Sequence, residues 1–135
     1  IAEQYLADES QQGLTDYKLM CFNGKVKCSF TCTERFCCSQ LKVTFFDRDW
    51  KEMSFERHYQ KSTISIPKPI NYDEMIRIAE ILSEDIPFVR VDFYEVNGSV
   101  YVGELTLYPG SGFEEFTPEK WDRELGDWLV LPEFK

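Results

Sequence analysis

Two Asn-Gly dipeptides limit the fold of this chain more than any other feature. Asn23-Gly24 lies between residues 17–22 and 25–31, and Asn97-Gly98 lies between residues 89–94 and 99–108. The flanking segments alternate apolar and polar side chains, most strictly around the second pair. Asn and Gly both tolerate positive φ, so they suit the centre of a type I′ turn, whose twist matches that of the strands it joins. Two β-hairpins are therefore expected. Residues 41–46 add a further short β-rich run, residues 1–6 alternate like a strand, and residues 7–15 are polar and loop-like.

Helices are fewer. Asn71 is a good N-cap, and Glu74 three positions later completes the pattern of a capping box. Met75, Ile78, Ala79 and Leu82 follow at helical spacing and form one apolar stripe. Thr117-Pro118 starts a second, shorter helix, and Gly126 is the expected left-handed stop. Strands outnumber helices and pair through short turns. The fold class is α+β, an antiparallel sheet with helices packed on one side. At 135 residues the chain is one domain or one lobe of a larger one, and 43% hydrophobic with 16% aromatic residues supplies a core.

Charge narrows the function. Fifteen Lys and Arg against twenty-four Asp and Glu give a net charge of −9. Nucleic acid needs a basic surface to neutralise phosphates, and an anionic membrane surface needs the same, so both are excluded as partners. No apolar run approaches the roughly 18–20 residues of a membrane-spanning helix. Cys21, Cys28, Cys32, Cys37 and Cys38 are odd in number and lack the paired spacing of zinc knuckles. They read as free thiols packed as small apolar residues in a reducing, cytoplasmic setting. His58, the single histidine, sits in a charged stretch and reads as surface. The chain opens on an alternating segment with neither an initiator Met nor a secretory leader, and it reads as a piece of a longer protein.

Residues 89–112 carry the chemistry. Arg90 and Asp92 share one strand face, while Val89, Val91 and Phe93 take the other, which must be the core. On the returning strand, Val102, Glu104 and Thr106 share a face. A two-residue loop at 97–98 would put Glu104 into the apolar interior. A three-residue loop at 96–98, with Gly98 in a bulge, places Glu104 opposite Arg90 and Asp92 opposite Val102, and that register is expected. Asp92 and Glu104 are then diagonal neighbours, roughly 7–8 Å apart. Two carboxylates at that spacing suit Mg2+, which keeps waters and bridges to nucleotide phosphates. Thr106 adds a neutral oxygen, and Arg90 balances the carboxylates or meets a phosphate. The residues alone favour a surface Arg90–Glu104 ion pair with Asp92 solvated over the metal–phosphate site.

The segments Arg90-Val91-Asp92-Phe93 and Gly103-Glu104-Leu105-Thr106-Leu107-Tyr108-Pro109-Gly110-Ser111-Gly112-Phe113 resemble the metal-binding end of an ATP-grasp domain. Asp16-Tyr17-Lys18, Cys21-Phe22-Asn23-Gly24-Lys25 and Phe46-Asp47-Arg48-Asp49-Trp50 are similar to the TupA-like ATP-grasp family, associated with teichuronopeptide and other surface-polysaccharide biosynthesis. The likeness runs over nearly the whole chain. It implies the C-terminal lobe of an ATP-grasp fold over residues 1–135, with ATP and Mg2+ as cofactors. Asp92 and Glu104 would be metal ligands, with Thr106 a third oxygen, and Arg90 would contact phosphate. Glu3, Gln4 and Leu6 would line the adenine strand, Lys18 would face the nucleotide, and Lys51 would reach the γ-phosphate.

The same resemblance implies a carboxylate–amine ligase acting on a small molecule or glycopolymer acceptor. A kinase on the same fold and a module that only binds nucleotide or a partner are the alternatives. The glycine-rich loop of the other ATP-grasp lobe has no match here. That N-terminal lobe is thus an expected partner, and the fragment alone is expected to be inactive. An exposed lobe interface would leave an apolar patch of the kind that drives self-association, so a homodimer is also among the expectations.

Overall fold

The computed structural model describes Leu6, residues 14–33 and residues 41–133. The elements run β1 (Asp16–Phe22), β2 (Lys25–Thr33), β3 (Lys42–Asp47), β4 (Glu56–Arg57), α1 (Tyr72–Leu82), β5 (Phe88–Val96), β6 (Ser99–Thr106), a 3-10 turn (Pro109–Gly112), β7 (Phe116–Thr117) and α2 (Lys120–Asp127). The main sheet has the order β3-β2-β1-β5-β6 and is antiparallel throughout. The two hairpins expected from the Asn-Gly pairs are present, and they meet along β1 and β5. Their four turn residues all have positive φ, between 48° and 75°. β4 and β7 form a separate two-stranded ribbon. Among the described residues no helix is long and apolar enough to cross a membrane.

Two cores lie on opposite faces of the sheet. Leu19, Val89, Val91 and Phe93 face α1, whose Tyr72, Met75 and Ala79 are fully buried against them. Met20, Cys28, Phe30, Phe45 and Phe55 form the second core, which Leu125 of α2 joins. The expectation of helices on one side thus holds for α1, while α2 sits with the second core. A bulge makes this division possible in β2. The register steps between Met20/Cys28 and Cys21/Val26, so Val26 faces the first core, Cys28 and Phe30 face the second, and Lys27 is the extra residue.

Three local expectations are corrected. The second hairpin closes with a two-residue turn, Val96 opposite Ser99, and the three-residue loop does not form. Glu104 is kept out of the core by a bulge further along: Phe93 pairs with Val102, but Asp92 pairs with Glu104, so Gly103 is the extra residue. A Cβ at Gly103 would lie 2.8 Å from Cε2 of Tyr94, which is why glycine stands there. The capping box at α1 is also not made. Glu95 of β5 accepts from the Ile70 and Asn71 amides at 3.2 and 2.7 Å, and the Asn71 side chain donates to the Gly98 carbonyl at 3.0 Å. Finally, Gly126 remains helical, and α2 runs on to Asp127, because Trp128 and Leu129 pack against the second core.

Candidate functional site

The bulge at Gly103 sets the geometry of the polar face. It puts Lys18, Asp92 and Glu104 in one row across β1, β5 and β6, with Arg90 and Thr106 paired in a row beside them. Directly opposed residues bring their Cβ atoms to about 4.5–5.5 Å, closer than the diagonal arrangement expected from sequence. Asp92 is the hub. Lys18 Nζ donates to its Oδ2, Arg90 Nε donates to Oδ1 at 2.6 Å, and Arg90 Nη2 donates to Oδ2 at 2.7 Å. Lys18 Nζ also contacts Asp16 at 2.7 Å. Glu104 lies 3.6 Å from Arg90 Nη2 and accepts from the Thr106 hydroxyl at 2.9 Å.

Burial grades this cluster from inside to outside. The Asp92 side chain is 3% exposed and that of Lys18 is 10%, whereas that of Glu104 is 61%. Burial alone would lower the Arg90 pKa, but the Asp92 hydrogen bonds and the nearby carboxylates raise it above the ordinary arginine value. Arg90 is thus a fixed cation. The surface ion pair that the residues alone allowed is only half right: Arg90 does meet Glu104, but Asp92 is buried.

If the group holds a metal, its chemistry suits a magnesium ion of the phosphate-bridging kind. A carboxylate has about four lone-pair positions, and Asp92 uses three of them on Lys18 and Arg90. One remains. Glu104 pairs with Asp92 across the strands, and its side chain is mostly exposed. Among the described residues no group of three or more His, Cys, Asp or Glu is arranged to hold a metal. The site therefore offers two carboxylates at most, which suits Mg2+ held largely by waters and phosphates and does not suit an all-protein cage.

The other residues singled out in the sequence are dispersed. Glu3 and Gln4 lie outside the described residues, and Leu6 is half-buried. Lys51 is exposed just after β3, at the opposite edge of the sheet from β6, so the structure does not bring it to Asp92. Its amide is held by Asp47, whose Oδ1 accepts from the Asp49 and Lys51 amides, both at 2.9 Å. Cys21, Cys28 and Cys32 are free thiols. Burial pushes the Cys21 and Cys28 thiols up to about 11 and about 12, so both are protonated at neutral pH, as packing residues should be. Cys37 and Cys38 lie outside the described residues. His58 is exposed against Tyr59.

Sequence reasoning missed two contributors. Asp16 shares the polar face with Lys18 by simple alternation, and that spacing was the available signal. Arg57 carried no signal, because its position depends on the pairing of β4 with β7. It is 8% exposed, lies 4.7 Å from the Phe30 ring centroid, and contacts Glu114 at 2.7 Å.

A five-stranded antiparallel sheet with two helices, carrying opposed carboxylates and fixed cations on one face, is consistent with the C-terminal lobe of an ATP-grasp protein. The family model described as TupA-like ATPgrasp matches residues 1–130, and the chain belongs to that family. Membership implies ATP binding, usually with Mg2+. No curated protein and no solved structure matches the chain.

Proposed function

We propose that the chain is the metal- and phosphate-binding lobe of an Mg-ATP-dependent carboxylate–amine ligase, acting in the cytoplasm on an acceptor used in surface-polysaccharide assembly. The observation that carries the reading is the Lys18–Asp92–Glu104 row with Arg90 beside it. Asp92, Glu104 and Thr106 would hold Mg2+, which supplies charge neutralisation on the triphosphate. Arg90 is held rigid by both Asp92 oxygens and faces the developing phosphate charge, so no reorganisation is needed during transfer. Lys18 is oriented by Asp16 and Asp92 and adds a second fixed cation for nucleotide. A carboxylate oxygen of the acceptor attacks the γ-phosphorus as ADP leaves, and an amine then displaces phosphate and loses a proton. Catalysis of this kind is positioning and electrostatics, with no protein nucleophile required.

The second lobe of the clamp, which carries a glycine-rich phosphate loop in ATP-grasp proteins, is proposed to close over β6. Leu105 and Leu107 are about half exposed there, and Tyr108 and Phe113 are 79% and 88% exposed. Calorimetric titration with a non-hydrolysable ATP analogue, with and without Mg2+, tests the reading. Metal-dependent binding is expected and should be lost in Glu104→Gln, a change at a solvent-facing side chain that leaves the fold intact. Metal-dependent binding that survives this substitution removes Glu104 from the site.

A further inference from the structure

Beside the polar cluster runs a groove of about 410 Å³. Its floor and walls are mainly apolar, with Met20, Phe88, Leu107, Phe116 and Leu129 among them. Phe88 precedes Arg90 on the same face of β5, about 7 Å away along the strand. Leu107 follows Thr106 directly. Met20, also in the groove, pairs with Arg90 across β1 and β5.

Three charged residues line the groove, Arg57, Glu114 and Asp122, and the buried Arg57 stands out. Arg57 is almost wholly buried, its Nη1 contacts Glu114 at 2.7 Å, and its Nε is buried with no hydrogen-bond partner. A buried guanidinium with one carboxylate contact among the described residues is under-compensated, since it presents five donors. Arg90 adds to this. The two guanidinium carbons lie 4.7 and 6.0 Å from the centroid of the same Phe30 ring. Burial lowers the Arg57 pKa, and repulsion from Arg90 acts in the same direction against the attraction of Glu114. Arg90 is already compensated by Asp92, so the charge that an anion would relieve is that of Arg57.

Glu114 fills part of that need. A Cβ on Gly110 would fall 2.1 Å from Glu114 Cγ, so the Glu114 side chain runs directly over the Gly110 backbone. It tethers the turn at 109–112, one wall of the groove, to Arg57. It does not reach Nε.

We propose that Arg57 is the carboxylate-binding residue for the acceptor, and that the acceptor is a carboxylic acid whose apolar body lies in the groove between Phe88, Leu107 and Leu129. This rests on the ligase reading for its purpose but not for its test. Arg57 links the groove to the polar cluster, because its guanidinium and that of Arg90 lie against the same Phe30 ring. A purely polar sugar acid would leave the groove's apolar wall unused, so the acceptor class is an amphipathic acid.

The test needs no nucleotide. The full chain is titrated with 3-phenylpropionate and with its neutral amide, 3-phenylpropanamide, while side-chain methyl resonances are followed by NMR. The acid is expected to move the signals of Met20, Leu107 and Leu129 and to bind at least tenfold more tightly than the amide. Arg57→Met keeps the packing on Phe30 and should weaken the acid at least tenfold, leaving the amide unchanged. Glu114→Gln removes the competing carboxylate and should tighten acid binding. A structural Arg57–Glu114 pair predicts instead that both substitutions act alike. Equal binding of acid and amide, equal effects of the two substitutions, or shifts outside the groove each overturn the proposal. If Arg57→Met fails to fold, the acid-to-amide ratio and Glu114→Gln still decide. Mg-ATP binding without probe binding removes this inference alone, and the reverse result removes the nucleotide site alone.

Discussion

The two hairpins of this protein start from the same chemistry and end with different jobs. Each turns on Asn-Gly with positive φ at both residues, and each carries one extra residue on its returning strand. In β1–β2 the extra residue is Lys27, exposed, and the register step sends Cys28 and Phe30 into the second core. In β5–β6 it is Gly103, packed under Tyr94, and the step sends Glu104 to the polar face opposite Asp92. β2 lies between two strands and its side chains are mostly buried, whereas β6 is an edge whose side chains are mostly exposed. The same device builds core where a strand is covered on both sides and builds a site where one edge stays open. A bulge is a way to choose which face a side chain serves, and its consequence depends on what lies across the sheet.

The largest effect separates the inner from the outer carboxylate of the second hairpin. Asp92→Ala leaves Lys18 and Arg90 without their shared buried partner and should cost about 3–5 kcal/mol. Glu104→Ala removes a side chain that is 61% exposed and should stay within about 0.5 kcal/mol of the parent. Urea unfolding of the two variants measures this directly. Equal losses would mean that Asp92 is not the hub of the cluster.

The first hairpin, by contrast, ties stability to alkaline pH. Cys21 and Cys28 have ordinary thiol values near 9, raised by burial to about 11 and about 12 in the folded chain. The unfolded chain therefore loses these protons first. Stability from this source is fully present below pH about 9 and falls as pH rises towards 11 and 12. Thermal unfolding should show a drop in Tm over that window, reduced in a Cys28→Ala variant. In native protein at pH 8 neither thiol should react with a thiol reagent, and both should react after denaturation.

Next in size is the contrast between the two bulges themselves. Gly103→Ala drives a Cβ against the Tyr94 ring and should cost about 1–3 kcal/mol. It should also weaken Mg-dependent nucleotide binding by moving Glu104. Lys27→Ala, at the exposed bulge, should be neutral within about 0.5 kcal/mol. Equal costs would show that the Gly103 bulge is not held by its close contact.

Much of this was legible in the sequence. Both hairpins, the strand at 42–47 and the α1 stripe follow from local pattern alone, because turn chemistry and periodicity are read within ten residues. Arg90, Asp92, Glu104 and Thr106 do gather on one face, as their alternation required. Their register was not legible, because the turn length sets it only as far as Phe93, and a lone glycine in a strand is a weak sign of a bulge. The capping of α1 was hidden for a different reason. Its partner, Glu95, is 24 residues away from Asn71 and becomes available only once β5 lies beside the helix start. Arg57 is the extreme case. A two-residue strand pairing with another two-residue strand carries no periodicity, yet it places a nearly buried cation beside the site.

The smallest contrast lies in the turn asparagines. Asn23 and Asn97 have nearly the same φ, 48° and 50°, so replacing either with Ala should cost about 1 kcal/mol for the left-handed conformation. Asn23 has a second role. Its side chain accepts from the Val130 amide at 2.9 Å and donates to the Val130 carbonyl at 2.7 Å, fastening the segment after α2 to the first turn. Among the described residues Asn97 carries no such tie, and the second hairpin is fastened instead through Asn71 and the Gly98 carbonyl. Asn23→Ala should therefore cost about 0.5–1 kcal/mol more than Asn97→Ala, since both lost bonds are solvent-exposed. Hydrogen exchange at the Val130 amide should accelerate in Asn23→Ala and stay unchanged in Asn97→Ala. If both variants left it unchanged, the first turn would serve only to reverse the chain, and the two hairpins would differ in their bulges alone.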